Sequence, residues 1–413
     1  MNKAASLKSD GKMYEFGKIN EAGPQFIAVI RQDWLDKLQL KAPTTTEEMF
    51  AVAKAFADND PDGNNKKDTY GMNTGQGLND IFGGGALNNA YVVKDGGLVR
   101  EWNKYKEYIS FIKRLYDGGV IDKDFITDSN GAKAKQNFLN GKTGIYFVQA
   151  NSSLWSRLWV TDYATLKSNA PGAKLEILPY PKAPNGQFIN WITNPVQMTA
   201  VVNRTAKDPK AIMEYIDFLS TPEAGITLSK GLEGVHWAKG ENGFPQVIDQ
   251  EKNKTEIGYL GIDYDMVFSI TQGGQSSFIG SSFNVKNPDE ALAKEKLKMM
   301  MNIIYDMIDQ NAQFPGLTHS EHLPTVPQDL LVDMQNALTE IDNLFKKAMV
   351  SGASYTADKA VSDAQAVWTK FNGAKIDEFF QKWYAENKDT ALMPKDIFDI
   401  VKSQRSMQEE ILK

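Results

Sequence analysis

FIAVIRQDWLDKLQLKAPTTTEEMFAVAKAFADNDPDGNNKKDTYGM, residues 26–72, packs a strand, two helices and a polar loop into one continuous run. Phe26 to Ile30 is a short apolar stretch of the kind that forms a buried strand. In RQDWLDKLQL, Trp34, Leu35 and Leu38 recur at helical spacing, and Pro43 closes that element. TTTEEMFAVAKAF opens with Thr45 and Glu48 at the spacing of a capping box, and Met49, Ala53 and Phe56 share one face. A strand followed by helices of this kind belongs to an α/β protein.

The loop that follows alternates acids and amides. Hard cations such as Ca²⁺ take several oxygen ligands, and an EF-hand-like loop supplies them from alternate positions around a sharp turn. Counted from Asp60, those positions hold Asp60, Asp62, Asn64, the Lys66 carbonyl and Asp68. The pattern departs from the EF-hand in two places. Gly63 falls at position 4 and Asn65 takes the turn position. Gly71 stands where a bidentate glutamate would close the site. The expectation is a structural calcium loop, with a solvated acidic turn as its plain alternative. Nothing beside the loop suggests that a metal there would do chemistry.

The remainder of the 413 residues alternates strands and helices, with few strands for so many helices. NKYKEYISFIKRLYDGG is amphipathic, with Tyr105, Tyr108, Ile109, Ile112 and Leu115 on one side and glycines at its end. A helix near 130–140 leads through NGK into TGIYFV, a strand. SSLWSRLWVTDYATLK reads as a helix, and LEILPYP and VQMTAVV read as strands. Asp208–Pro209 and Thr221–Pro222 each place a capping side chain before a proline at the first helical position. Residues 288–313, 327–350, 357–386 and 394–412 read as long helices.

Composition narrows the function. Lys plus Arg is 46 against Asp plus Glu 52, a net charge of −6, which argues against a nucleic-acid partner. The absence of cysteine removes disulfides, thiolate catalysis and zinc–cysteine sites. No stretch is long and apolar enough for a transmembrane helix. MNKAASLKSDGKMYEF lacks the apolar core of a secretory signal. GKT at 141–143 is not a phosphate loop, because Gln136 stands where the motif needs glycine and a strand follows instead of a helix. HSEH (319–322) offers two histidines but no third nitrogen nearby, and is expected to be a surface loop. Glu233, Asp263 and Asp265 lie in or near Gly-rich loops without the spacing of a catalytic carboxylate pair.

Trp155, Trp191 and Trp237 stand beside polar stretches: NSSLW with Asn151, INWITN, and EGVHW with Glu233. An aromatic face beside amides and carboxylates suits a saccharide, whose C–H faces stack and whose hydroxyls need partners. The plain alternative is that each indole is core, where tryptophan is found on average.

The opening stretch, with NFLNGKTGIYFVQANSSLW, LPYPKAPNGQ, LSKGLEGVHW and TEIDNLFKKAMVSG, resembles the family-1 extracellular solute-binding proteins of Gram-positive bacteria. These are large lipoproteins that serve carbohydrate ABC importers, and the resemblance runs from about residue 12 to about residue 385. It implies a type II periplasmic-binding-protein-like α/β fold of two lobes joined by hinge strands. It also implies an oligosaccharide held between the lobes, and a permease that reads their closure. Relatives that take acidic oligosaccharides carry a calcium loop that Asp60, Asp62, Asn64 and Asp68 match. Trp155 matches a stacking position; Trp191 precedes a hinge strand, and Trp237 follows the shared EGVH stretch.

Family members carry a signal peptide, a lipidated cysteine and a long opening segment before the RQDWL stretch, which stands here at residue 31. The expectation is therefore a shortened chain with no lipid anchor of its own. It would hold a near-complete C-terminal-type lobe (26–190 plus 300–413) and a remnant of the N-terminal-type lobe with the hinge (1–25 plus 191–299). Such a remnant would expose strand edges and apolar faces. The leading function is an extracellular, cell-surface carbohydrate receptor without catalysis. The alternatives are a calcium-braced glycoside hydrolase or lyase, and a scaffold that uses one lobe as an interaction module.

Overall fold

The computed structural model describes residues 15–84, 90–151, 153–260, 264 and 270–413. Among them are ten strands: β1 (Phe16–Ile19), β2 (Phe26–Arg31), β3 (Tyr70–Met72), β4 (Tyr91–Lys94), β5 (Gly97–Arg100), β6 (Thr143–Gln149), β7 (Leu175–Leu178), β8 (Val196–Ala200), β9 (Trp237–Lys239) and β10 (Pro245–Val247). The chain divides into two compact units. The larger takes Pro24–Trp191 and Asn302–Lys388, and the smaller takes Met1–Gly23, Ile192–Met301 and Asp389–Lys413.

The larger unit is built on a four-stranded sheet in the order β3-β6-β2-β7. The apolar run at 26–30 makes β2, whose six residues are all buried. It pairs antiparallel with β6 and β7, while β3 runs parallel to β6, Tyr70 opposite Thr143 and Met72 opposite Ile145. The helix Thr46–Asp58 covers the sheet, and Thr45 and Glu48 form the expected capping box. Its Phe56 meets Trp34 edge-on, ring centroids 5.3 Å apart. At Gly144 an added Cβ would stand 2.2 Å from the Phe56 ring, so helix and sheet approach closely because β6 has no side chain there.

Arg31 ends β2 and is buried. Its guanidinium lies 4.4 Å over the Trp34 ring, grips both oxygens of Asp33, and donates to the Gly141 carbonyl at 3.1 Å. A buried charge is tolerable when its donors are met in this way. The helix Asn103–Asp117 buries Tyr105, Ile109, Ile112 and Leu115 as its pattern predicts, and adds Phe111.

The smaller unit contains the antiparallel pairs β1–β8 and β9–β10. Asp208 and Thr221 accept the Ala211 and Ala224 N–H groups, as N-caps should. The helix Pro209–Leu219 carries an apolar stripe, yet of its residues only Leu219 is buried, and Phe218 is 61% exposed.

Three expectations about elements are corrected. The segment 357–386 is two helices, Ala357–Lys370 and Gly373–Asn387, broken where Asn372 turns left-handed at φ +55°. The segment 153–169 contains a π-helical turn, Arg157–Asp162, between two α-helical pieces. The segment 300–413 does not stay together, because the last helix, Pro394–Ile411, packs with the smaller unit. There Ile411 clusters with Ile19, Ile270 and Phe278. Gln404 accepts the Ala22 N–H at 2.8 Å and donates to the Asn20 carbonyl at 3.0 Å. Glu21 accepts the Ile279 N–H at 2.9 Å and the Gln408 amide at 3.2 Å.

Candidate functional site

Parallel strands in an α/β sheet end where ligands are taken up, at their carboxyl edge. β3 stops at Met72, opposite Ile145, while β6 runs on to Gln149, and a cavity of about 420 Å³ opens beside this carboxyl side of the pair within the larger unit. One wall is the chain leaving β3. Asn73 extends the ladder with its side chain, donating to the Phe147 carbonyl at 3.1 Å and accepting the Phe147 N–H at 2.7 Å. Thr74 and Gln76 follow on the same wall, with Gln149 at the end of β6.

The facing wall is the loop 121–131 and the start of the helix Ala132–Leu139. Asp128 caps that helix, accepting the Lys133 and Ala134 N–H groups at 3.1 and 2.8 Å. Asp122 and Asp124 both hold the Lys133 ammonium at 2.9 Å. Burial opposes ionisation of Asp122, yet the Asp124 N–H and the Lys133 ammonium keep its carboxyl below the usual range. Bonds to Asp124 and Asp122 in turn raise Lys133, so Asp122 and Lys133 are charged at neutral pH. Tyr146 adds an aromatic surface, stacked on Phe138 with centroids 4.1 Å apart and planes 9° from parallel; burial raises its hydroxyl pKa. Amides, one aromatic wall and fixed charges can hold a polyhydroxylated ligand. No short spacing in the sequence marks this site, because its residues are spread over positions 26–157.

The expected ligand residues are distributed otherwise. Trp155 is fully buried, its ring 6.0 Å from that of Trp159, and offers no open face. It is core here, a correction to the stacking role. Asn151 is half-buried and its carbonyl accepts the Leu154 N–H at 2.9 Å. Trp191 keeps some exposure and packs between Phe314 and His319, centroids 4.9 and 5.3 Å away. Trp237 is 7% exposed and donates its indole N–H to the Gly231 carbonyl at 2.9 Å.

Glu233 is exposed, while His236 of the same motif is buried beside Trp237, meets Glu256 at 3.0 Å and accepts the Leu232 N–H. Gly231, at φ +83°, leaves the space that the His236 ring fills. HSEH is likewise not a surface loop throughout, since His319 is buried against Trp191 and Phe314. Asp263 and Asp265 lie outside the described residues.

The 58–71 loop gathers its acids around one amide. Asp60 and Asn65 take left-handed backbone, as does Gly63. The Asp60 carboxylate accepts the Asn64 and Asn65 N–H groups at 3.1 and 3.0 Å. The Asn64 side-chain nitrogen donates to Asp62 at 2.8 Å and to Asp68 at 3.0 Å. Burial and the neighbouring Asp60 push the Asp62 carboxyl up, and the hydrogen bond to Asp62 holds Asp60 down. Asp68 is lowered by Lys142, 2.8 Å away, and by Asn64. Among the described residues no three His, Cys, Asp or Glu side chains stand as a metal-ligating group. The Asn64 side-chain oxygen accepts the Lys66 N–H at 2.7 Å, so both ends of that amide are bonded within the loop.

A model of the family described as bacterial extracellular solute-binding protein matches residues 3–235, more than half of the chain. The chain belongs to that family. This solute-binding protein is 31% identical over 252 residues to the polygalacturonan/rhamnogalacturonan-binding protein YtcQ of Bacillus subtilis, covering 56% of this chain and 47% of YtcQ. It is 32% identical over 257 residues to the fructooligosaccharide ABC transporter substrate-binding protein FusA of Streptococcus pneumoniae, covering 56% of this chain and 44% of FusA. The matches thus span less than half the length of either relative. Its α/β fold is that of a solute-binding protein from Bifidobacterium longum infantis described as HMO-binding and ABC-transporter-associated. The TM-score is 0.63 at 19% identity, over 93% of this chain and 79% of the other. Among the described residues no helix is long and apolar enough to cross a membrane.

Proposed function

We propose that this solute-binding protein captures an oligosaccharide for a carbohydrate ABC importer and releases it unaltered to the permease. The observation that carries this is the cavity on the carboxyl side of the parallel pair β3 and β6, with its amide wall and its aromatic wall. Family membership supports it, as do two relatives named for saccharide binding. Capture needs only stacking and hydrogen bonding, and no group in the cavity is set against another as nucleophile and base. Among the expected tryptophans, Trp191 retains exposed surface and remains our candidate for a stacking face. Location outside the cell, at the membrane surface, belongs to the same proposal.

Incubation with a panel of oligosaccharides separates receptor from hydrolase or lyase. Saturable binding with no new product by chromatography is expected; turnover of any member would replace the proposal with the enzyme.

We also propose that the loop holds Ca²⁺ through Asp60, Asp62, Asn64, Asp68 and the Lys66 carbonyl, as a brace and not a reactant. The support is the convergence of Asp60, Asp62 and Asp68 on Asn64. Calcium at about 100 times its Kd should stabilise the fold by about 2.7 kcal/mol, raising Tm. EDTA and Asp62→Asn should each abolish that rise. An unchanged Tm with and without calcium would leave a plain acidic turn.

A further inference from the structure

The relatives named above take an acidic and a neutral saccharide, and the cavity wall discriminates between those chemistries; this inference rests on the binding proposal. Five charged side chains, of both signs, line the cavity: Lys133, Lys135, Arg157, Asp122 and Asp128. Four are already answered within the unit. Asp128 spends its oxygens on two backbone N–H groups. Asp122 takes Lys133, the Asp124 N–H at 3.0 Å and the Asn137 amide at 3.3 Å. Lys133 is shared between Asp122 and Asp124, and Lys135 meets Asp162 at 3.0 Å.

Arg157 differs from these four. Its side chain is 47% exposed, and its Nε stands 3.8 Å from Asp162, a carboxylate that Lys135 already holds. At that distance the contact is Coulombic and not a hydrogen bond. The guanidinium therefore keeps a fork of donors open at the cavity. Arg157 also opens the π-helical turn Arg157–Asp162, a local widening of the helix that is frequent at functional sites. A planar fork of N–H donors matches a carboxylate at two points, which a hydroxyl cannot do. Gln76 and Gln149, which also line the cavity, offer amides to hydroxyls.

We infer that the captured saccharide carries carboxylates, and that one uronate docks on Arg157 through a paired N–H···O contact. Arg157 is then the residue that sets preference for acidic over neutral ligands.

The test is isothermal titration of the full chain with trigalacturonate, with its fully methyl-esterified form, and with a neutral fructo-oligosaccharide. The acid should bind at least tenfold tighter than the ester, and the margin should shrink as salt rises. Arg157→Gln should erase the margin while leaving Tm unchanged, and Arg157→Lys should restore part of it. An ester that binds as tightly as the acid, or a preference that survives Arg157→Gln, would overturn the inference. Binding of the neutral saccharide alone would overturn it too, leaving the cavity's role as a saccharide site intact. Failure of all three to bind a folded chain would remove the binding proposal and this inference with it.

Discussion

Trp155 and Trp191 carry the same local signal, an indole among Asn, Ser and Thr, and the structure treats them differently. Trp155 is enclosed beside Trp159, whereas Trp191 lies between an aromatic ring and an imidazole with surface to spare. Neighbouring polarity in sequence does not reveal which face a side chain turns, because the adjoining Asn and Ser can satisfy backbone groups as readily as a ligand. Trp155→Ala should therefore cost about 3–5 kcal/mol of stability, the penalty for emptying a buried aromatic site, measured by denaturant unfolding. Weaker saccharide binding with no change in stability would return Trp155 to the ligand. The acidic loop was more readable, since side chains two apart in a tight turn have little choice but to converge. The cavity was not, because Asn73, Asp122, Tyr146 and Arg157 meet only through the parallel pairing of β3 with β6.

The helices that cap themselves were the most readable elements. Thr45, Asp208 and Thr221 carry their start signals within four residues and need no tertiary partner. The π-helical turn and the break at Asn372 were hidden, because both preserve an amphipathic pattern across the irregularity. The final helix was visible as a helix but not in its attachment, which depends on two glutamines and a carboxyl far away in sequence. Glu21 in that attachment is pushed up to about 7, chiefly by burial, against an ordinary value of 4.5. Between those values the folded chain holds a proton that the unfolded chain has lost, so stability falls as pH rises through the window. The loss is at most about 3 kcal/mol. Glu21→Gln should flatten that slope in unfolding measured from pH 4.5 to 7.5. A slope that persists in the variant would assign it to other groups.

The α/β character of the whole molecule followed from one strand and its helices at 26–58. How the chain is shared between its two units did not, because nothing local marks where a polypeptide changes allegiance. It does so four times, at 23/24, 191/192, 301/302 and 388/389. Neither unit is a continuous piece of polypeptide. A single proteolytic nick therefore cannot release one unit from the other, and no simple truncation yields either alone. During synthesis the larger unit waits for residue 388, and the smaller one holds its first strand without a partner helix until Pro394–Ile411 has been made.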